Sequence, residues 1–166
     1  MIIGSKKRNL VVSRIFDTSV EQVWKAWSDP ERVKRWWGPD GFTCPVVKMD
    51  FRQGGTTLVC MRAPKELAGR DIYNTWAYEE IVPMKRFVCI IRFSDPYGNM
   101  KDPTDLRLPA AMPQEVRHEV TFKELDNGKT ELTVTEYDLP IGSIMRTSQI
   151  GLEQCLTKME HSLRSE

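Results

Sequence analysis

The sequence predicts an α+β fold: a curved antiparallel β-sheet wrapped around a long C-terminal helix, with two short helices after the first strand. Three observations carry this. Residues 42–139 break into strand-like runs separated by turn signals. Residues 19–38 carry two helix-start signals in succession. Residues 142–164 show one continuous apolar stripe at helical spacing. A curved antiparallel sheet needs one face covered, and the terminal helix is the one element long enough to cover it.

The first element, NLVVSRIF at 9–16, reads as a strand on Leu10, Val11, Val12, Ile15 and Phe16. Thr18 and Glu21 have capping-box spacing, and Val20, Val23, Trp24 and Trp27 then recur at i, i+3, i+4 and i+7. That predicts an amphipathic helix over about 19–28, with Trp24 and Trp27 in the core. Asp29-Pro30 caps and opens a second short helix, which Gly38 ends. Within it RWWGPDGF, at 35–42, sets Trp36 beside Trp37. Helical neighbours point about 100° apart, so one indole closes the core and the other faces elsewhere.

Strands follow. FTCPVVKMDF passes through the turn RQGG into TTLVCMRA, and a loop containing Gly69 leads to DIYNTWAYEEIV. Pro83-Met84 turns the chain into RFVCIIRFSD. Residues 96–114, with Pro96, Pro103, Pro109 and Pro113, form the longest stretch without a pattern. Such a loop is either a lid or binding loop or a disordered segment. In the last hairpin EVRHEVTFKEL alternates cleanly, and TELTVTEYDL follows the turn Asp126-Asn127-Gly128. Keeping both apolar faces together, with Gly128 left-handed, sets Phe122 opposite Leu132, Val120 opposite Val134 and His118 opposite Glu136. The terminal stripe comprises Ile141, Ile144, Met145, Ser148, Leu152, Cys155, Leu156, Met159 and Leu163.

Composition narrows the function. The 166 residues fit one domain, and 24 basic against 23 acidic side chains leave a net charge of +1. No basic patch or stripe suits nucleic acid. No apolar run has signal-peptide or membrane-span length, so a cytoplasmic, soluble protein is expected. Cys44, Cys60, Cys89 and Cys155 are scattered without a C-x-x-C pair, which reads as reduced, mostly buried thiols. With His118 and His161 the only histidines, neither a metal nor a cofactor is expected.

The residues at the joints resemble a known family. SVEQVWKAWSDPERVKRWWGP, then DFRQGG at 50–55, YEEIVPMKRFV at 78–88, GKTELTV at 128–134 and the closing GLEQCLTKMEHSL are similar to the helix-grip, START-like (SRPBCC) superfamily. That superfamily includes birch-pollen-allergen-like proteins and polyketide cyclases. Within it the chain most resembles the family named for the C-terminal domain of the activator of heat-shock protein 90 ATPase. The resemblance spans nearly the whole chain and implies a single START-like domain over 1–166. Where many relatives carry an aromatic residue this chain has Thr57, and a Gly-Trp of the last helix is here Gly151-Leu152. The full-length co-chaperone also has an N-terminal domain that contacts the chaperone, with no counterpart in these residues.

The resemblance implies a cavity between sheet and terminal helix, and the apolar pattern nominates its lining. The candidates are Trp36 or Trp37 at the mouth, with Trp37 chosen because it adjoins Gly38-Pro39, then Val59, Met61, Trp76 (ahead of Tyr78), His118, Glu136, and Met145, Gln149 and Leu152 on the helix. This mostly apolar set suits a small hydrophobic or amphipathic ligand. His118 opposite Glu136 reads as a buried structural pair, a ligand contact or a general acid–base pair. Arg62 and Arg92 either anchor an acidic head or face solvent, and Asp50, Arg52, Gly54 and Gly55 form a structural turn whose glycines permit positive φ. Three functions therefore compete. A small-molecule binding or sensing protein leads. A cyclase- or dehydratase-like enzyme would use His118 and Glu136, or Tyr73 or Tyr137. A co-chaperone-like interaction module would bind a protein partner or a second copy.

Overall fold

A computed structural model describes residues 6–164; residues 1–5, part of the start read for a targeting segment, and 165–166 lie outside it. The elements run β1 (Lys7–Phe16), α1 (Val20–Ser28), α2 (Pro30–Val33), β2 (Thr43–Lys48), β3 (Thr56–Arg62), β4 (Asp71–Val82), β5 (Arg86–Ser94), β6 (Glu115–Glu124), β7 (Thr130–Pro140) and α3 (Ser143–Arg164). The strands form one curved antiparallel sheet in the order β1-β7-β6-β5-β4-β3-β2. Sequential strands pair throughout except β1, which crosses to β7 and closes that side.

The β6–β7 hairpin has the predicted register: Phe122 faces Leu132, Val120 faces Val134 and His118 faces Glu136. Gly128 takes the left-handed conformation, with φ +78°. β2 is the other edge, and there Pro45, which lacks an N–H, interrupts the ladder without stranding a partner.

Three local readings need correction. The cap of α1 is Ser19 rather than Thr18, because the Gln22 amide donates to Ser19 Oγ at 3.3 Å. Ser19 and Gln22 themselves have capping-box spacing, one residue along from the pair read in the sequence. The second helix is a single turn. After Val33 both the Trp36 and Trp37 amides donate to the Val33 carbonyl, which tightens the coil before Gly38 (φ +108°) turns it away. The 96–114 segment is also ordered locally. Ser94 bridges Met100, Asp95 accepts from the amides of Tyr97 and Asn99, and Asp102 caps a short 3₁₀ turn over Pro103–Leu106.

α3 does not cover the sheet alone. α1 lies on β6 and β7, with Trp24 edge-on to Phe122 at 4.9 Å and Trp27 edge-on to Phe87 at 5.5 Å between ring centroids. Both tryptophans are core residues, as their helical spacing predicts. Trp36 is wholly buried, and its indole N–H donates to the Ala26 carbonyl at 2.9 Å, which ties the α2 turn beneath α1. Lys158 then joins this region to α3, its ammonium donating to the carbonyls of Gly38 and Phe42 at 2.9 and 3.2 Å. Among the described residues no helix is long and apolar enough to cross a membrane.

Candidate functional site

Between the concave face of the sheet and α3 lies a cavity of about 260 Å³. Its walls come from the period-2 inward faces of the strands and from one face of α3. Of the nominated residues, Trp37, Met61, Trp76, His118, Glu136 and Leu152 line it. Val59, Met145 and Gln149 do not. Val59 is wholly enclosed in the core beneath the wall. Met145 turns toward β1, its sulfur accepting from the Arg8 guanidinium at 3.3 Å. Gln149 is exposed, one step off the inward row that runs through Ser148, Leu152 and Cys155.

Between Trp76 and Tyr78 the lining residue is Trp76. The Tyr78 ring packs on Phe51 and Phe87, and its hydroxyl is bonded to Thr57 Oγ at 2.8 Å. Burial pushes the Tyr78 hydroxyl pKa well up, so the tyrosine stays protonated. Thr57, the departure from the family pattern, thus satisfies a buried hydroxyl.

Trp36 and Trp37 divide the work their adjacency demands. Trp36 is the core residue, and Trp37 is partly buried on the cavity wall, edge-on to Trp76 at 4.9 Å and 71°. The indole N–H groups of Trp27, Trp37 and Trp76 have no hydrogen-bond acceptor. Edge-to-face packing brings indole edges against neighbouring π faces, the nearest substitute for an acceptor in so apolar a wall.

His118 and Glu136 are the polar focus. Nε2 lies 3.3 Å from Glu136 Oε1, with both side chains largely buried, and Nδ1 lies 3.2 Å from the Val116 carbonyl oxygen. A carbonyl only accepts, so Nδ1 donates. Both ring nitrogens are therefore engaged within the protein. Neither is free to take a proton from Cys89, its neighbour across the β5–β6 ladder.

The thiols have no nucleophilic character either. All four cysteines are free and buried. On the cavity wall, burial raises the Cys155 thiol to about 11 and pushes Cys89 up as well. The remaining candidates lie elsewhere. Arg62 is paired with Asp71 at 2.7 Å and Arg92 with Glu115 at 2.6 Å, and Tyr137 packs under Arg117. Neither arginine, nor Tyr73 or Tyr137, lines the cavity. Among the described residues no cluster of three His, Cys, Asp or Glu side chains is placed to hold a metal.

Several lining residues escaped the sequence reading. Cys89, Ile91 and Phe93 continue the alternation begun by Phe87, and Asn74 stands two residues before Trp76 on the same strand face, so period 2 was signal enough. Met112 and Pro113 reach the mouth from the 96–114 segment, which makes that segment part of the wall. No periodicity marked them.

A curved antiparallel sheet gripping a long helix over an apolar cavity defines the helix-grip, or SRPBCC, class of protein. The family model for activator of Hsp90 ATPase homolog 1-like proteins matches residues 17–164, and the chain belongs to that family. Solved structures repeat the fold. A Chromobacterium violaceum protein is 22% identical over 93% of this chain and 96% of its own, with a TM-score of 0.75. A Staphylococcus epidermidis protein is 20% identical over 99% and 94%, with a TM-score of 0.76. The AHSA1 protein of Silicibacter pomeroyi is 17% identical over 95% and 98%, with a TM-score of 0.74. No curated protein matches the chain.

Proposed function

We propose that the protein binds or senses a small hydrophobic or amphipathic molecule, held between the sheet and α3, with residues 1–166 acting as one START-like domain. The observation that carries this reading is the character of the cavity. Its wall is largely aromatic and aliphatic, and the one carboxylate on it among the described residues, Glu136, is met by His118. An apolar cleft with few convergent polar groups is the usual form of a small-molecule site. Trp37, Met61, Trp76, His118, Glu136 and Leu152 are the proposed contacts. Catalysis by His118 is the weaker reading, since a general base needs a free nitrogen and both are engaged.

The test is native mass spectrometry of the purified protein, followed by denaturing extraction and identification of what is released. A stoichiometric small molecule that leaves on denaturation is the expected result. A protein that is empty as purified and takes up no apolar probe would overturn the reading in favour of an interaction module.

A further inference from the structure

Two polar groups on the cavity wall have no hydrogen-bond partner among the described residues. Asn74, on β4, is only 5% exposed, yet its side-chain amide makes no hydrogen bond. It lines the outer part of the cavity, a chamber of about 170 Å³ shared with His118, Glu136, Met112 and Ser148. Glu136, 9% exposed, engages His118 through Oε1, and its other oxygen, Oε2, has no partner. Both residues line the chamber, and neither group is among the fully sealed polar atoms without a partner, which are the three indole nitrogens. A buried amide and a buried carboxylate oxygen left unanswered cost free energy that a bound polar group would recover.

The chamber also excludes charge. Among the described residues no lysine or arginine lines either part of the cavity. His118 has spent both ring nitrogens on Val116 and Glu136, so it offers an anion nothing. A carboxylate or phosphate head would be desolvated beside Glu136 without a counter-charge. An ammonium head would be desolvated in an apolar chamber, beside a carboxyl group that His118 already contacts.

We propose that the cavity selects an uncharged amphipathic molecule, whose alcohol or primary-amide head is held between the Asn74 amide and the free oxygen of Glu136. The proposal rests on the binding reading above and adds the head-group class to it. The head donates to Glu136 Oε2 and exchanges hydrogen bonds with Asn74, while the tail lies against Trp37, Trp76 and Leu152. The inner part of the cavity, about 260 Å³, takes the apolar tail, and the outer chamber that Asn74 lines takes the head.

The experiment titrates the purified chain with 1-octanol, octanamide, octanoate and octylammonium near neutral pH, read by tryptophan fluorescence and calorimetry. Octanol and octanamide should bind roughly tenfold more tightly than either charged analogue, the worth of about one net hydrogen bond. Asn74→Leu should erase most of the octanamide advantage, and Glu136→Gln should narrow the gap between octanamide and octanoate. Octanoate or octylammonium binding as tightly as octanol would overturn the head-group proposal and leave the binding reading standing. Binding of none of the four would remove both. Should Asn74→Leu fail to fold, the series on the unaltered chain decides the matter, and Asn74→Asp provides the second variant, expected to weaken octanoate further.

Discussion

His118 matters first as the partner of a buried acid. Removing it in His118→Ala leaves the Glu136 carboxyl group on an apolar wall with only ligand or water to answer it. The expected cost is ~1–3 kcal/mol of stability, measured by urea denaturation. The double variant His118→Leu with Glu136→Leu should cost less than His118→Ala, because no polar group is then stranded. Equal or additive losses would show that the pair is not coupled. Trp37 allows a second test at this scale: in Trp37→Phe, ligand-dependent fluorescence change should shrink by a large share, and an unaltered response would place the ligand elsewhere. The pairing of His118 with Glu136 was legible because strand alternation and a three-residue turn leave one register. Of the two adjacent indoles, Trp37 was the one read at the rim because it adjoins Gly38-Pro39, but the pattern could not show how tightly the chain coils after Val33 to put Trp36 inward.

At the scale of elements, the turn at 50–55 shows what a motif conceals. Both of its glycines read as sites of positive φ, yet only Gly54 has one, at +80°, with open space around a Cβ. Gly55 is required by proximity, because a Cβ there would lie 2.3 Å from the Asp50 carbonyl oxygen. The Gly54 amide donates to the Tyr78 carbonyl and the Tyr78 amide to that of Gly55, so the turn pins the bulge in β4. Gly54→Ala should therefore cost ~1–2 kcal/mol for the left-handed backbone, and Gly55→Ala distinctly more, compared by denaturation midpoints. The reverse order would mean that the turn opens freely. Close approach leaves no trace in a single sequence, whereas the hairpin, the amphipathic helices and the α3 stripe are written in their periodicity. The 96–114 segment resisted for a related reason: its order comes from Asp95 and Asp102 bonding to nearby amides, and such contacts have no period.

For the whole molecule, burial of acidic protons sets an alkaline limit. An unfolded cysteine ionises near 9.0, but in the fold Cys155 keeps its proton to about 11 and Cys44 to about 12, chiefly because burial disfavours the thiolate. Tyr78 is shifted in the same direction from 10.0. Above pH 9 the unfolded chain has released protons that the native chain retains, so stability is fully present below that pH and declines as pH rises toward 11–12. Denaturation midpoints should fall over this window, and more gently in a Cys44→Ala, Cys155→Ala variant. A flat profile would contradict the burial of these thiols.

The pairing of β1 with β7 also reaches beyond the finished molecule. Phe16 meets Thr130, and Lys7 meets Pro140. At synthesis rates of ~5–20 residues per second, the first strand waits on the order of ten seconds for its partner to be made. Over that interval Leu10, Val12 and Phe16, all buried in the end, belong to a strand with no neighbour. During synthesis β1 must thus be kept from premature pairing until β7 has emerged.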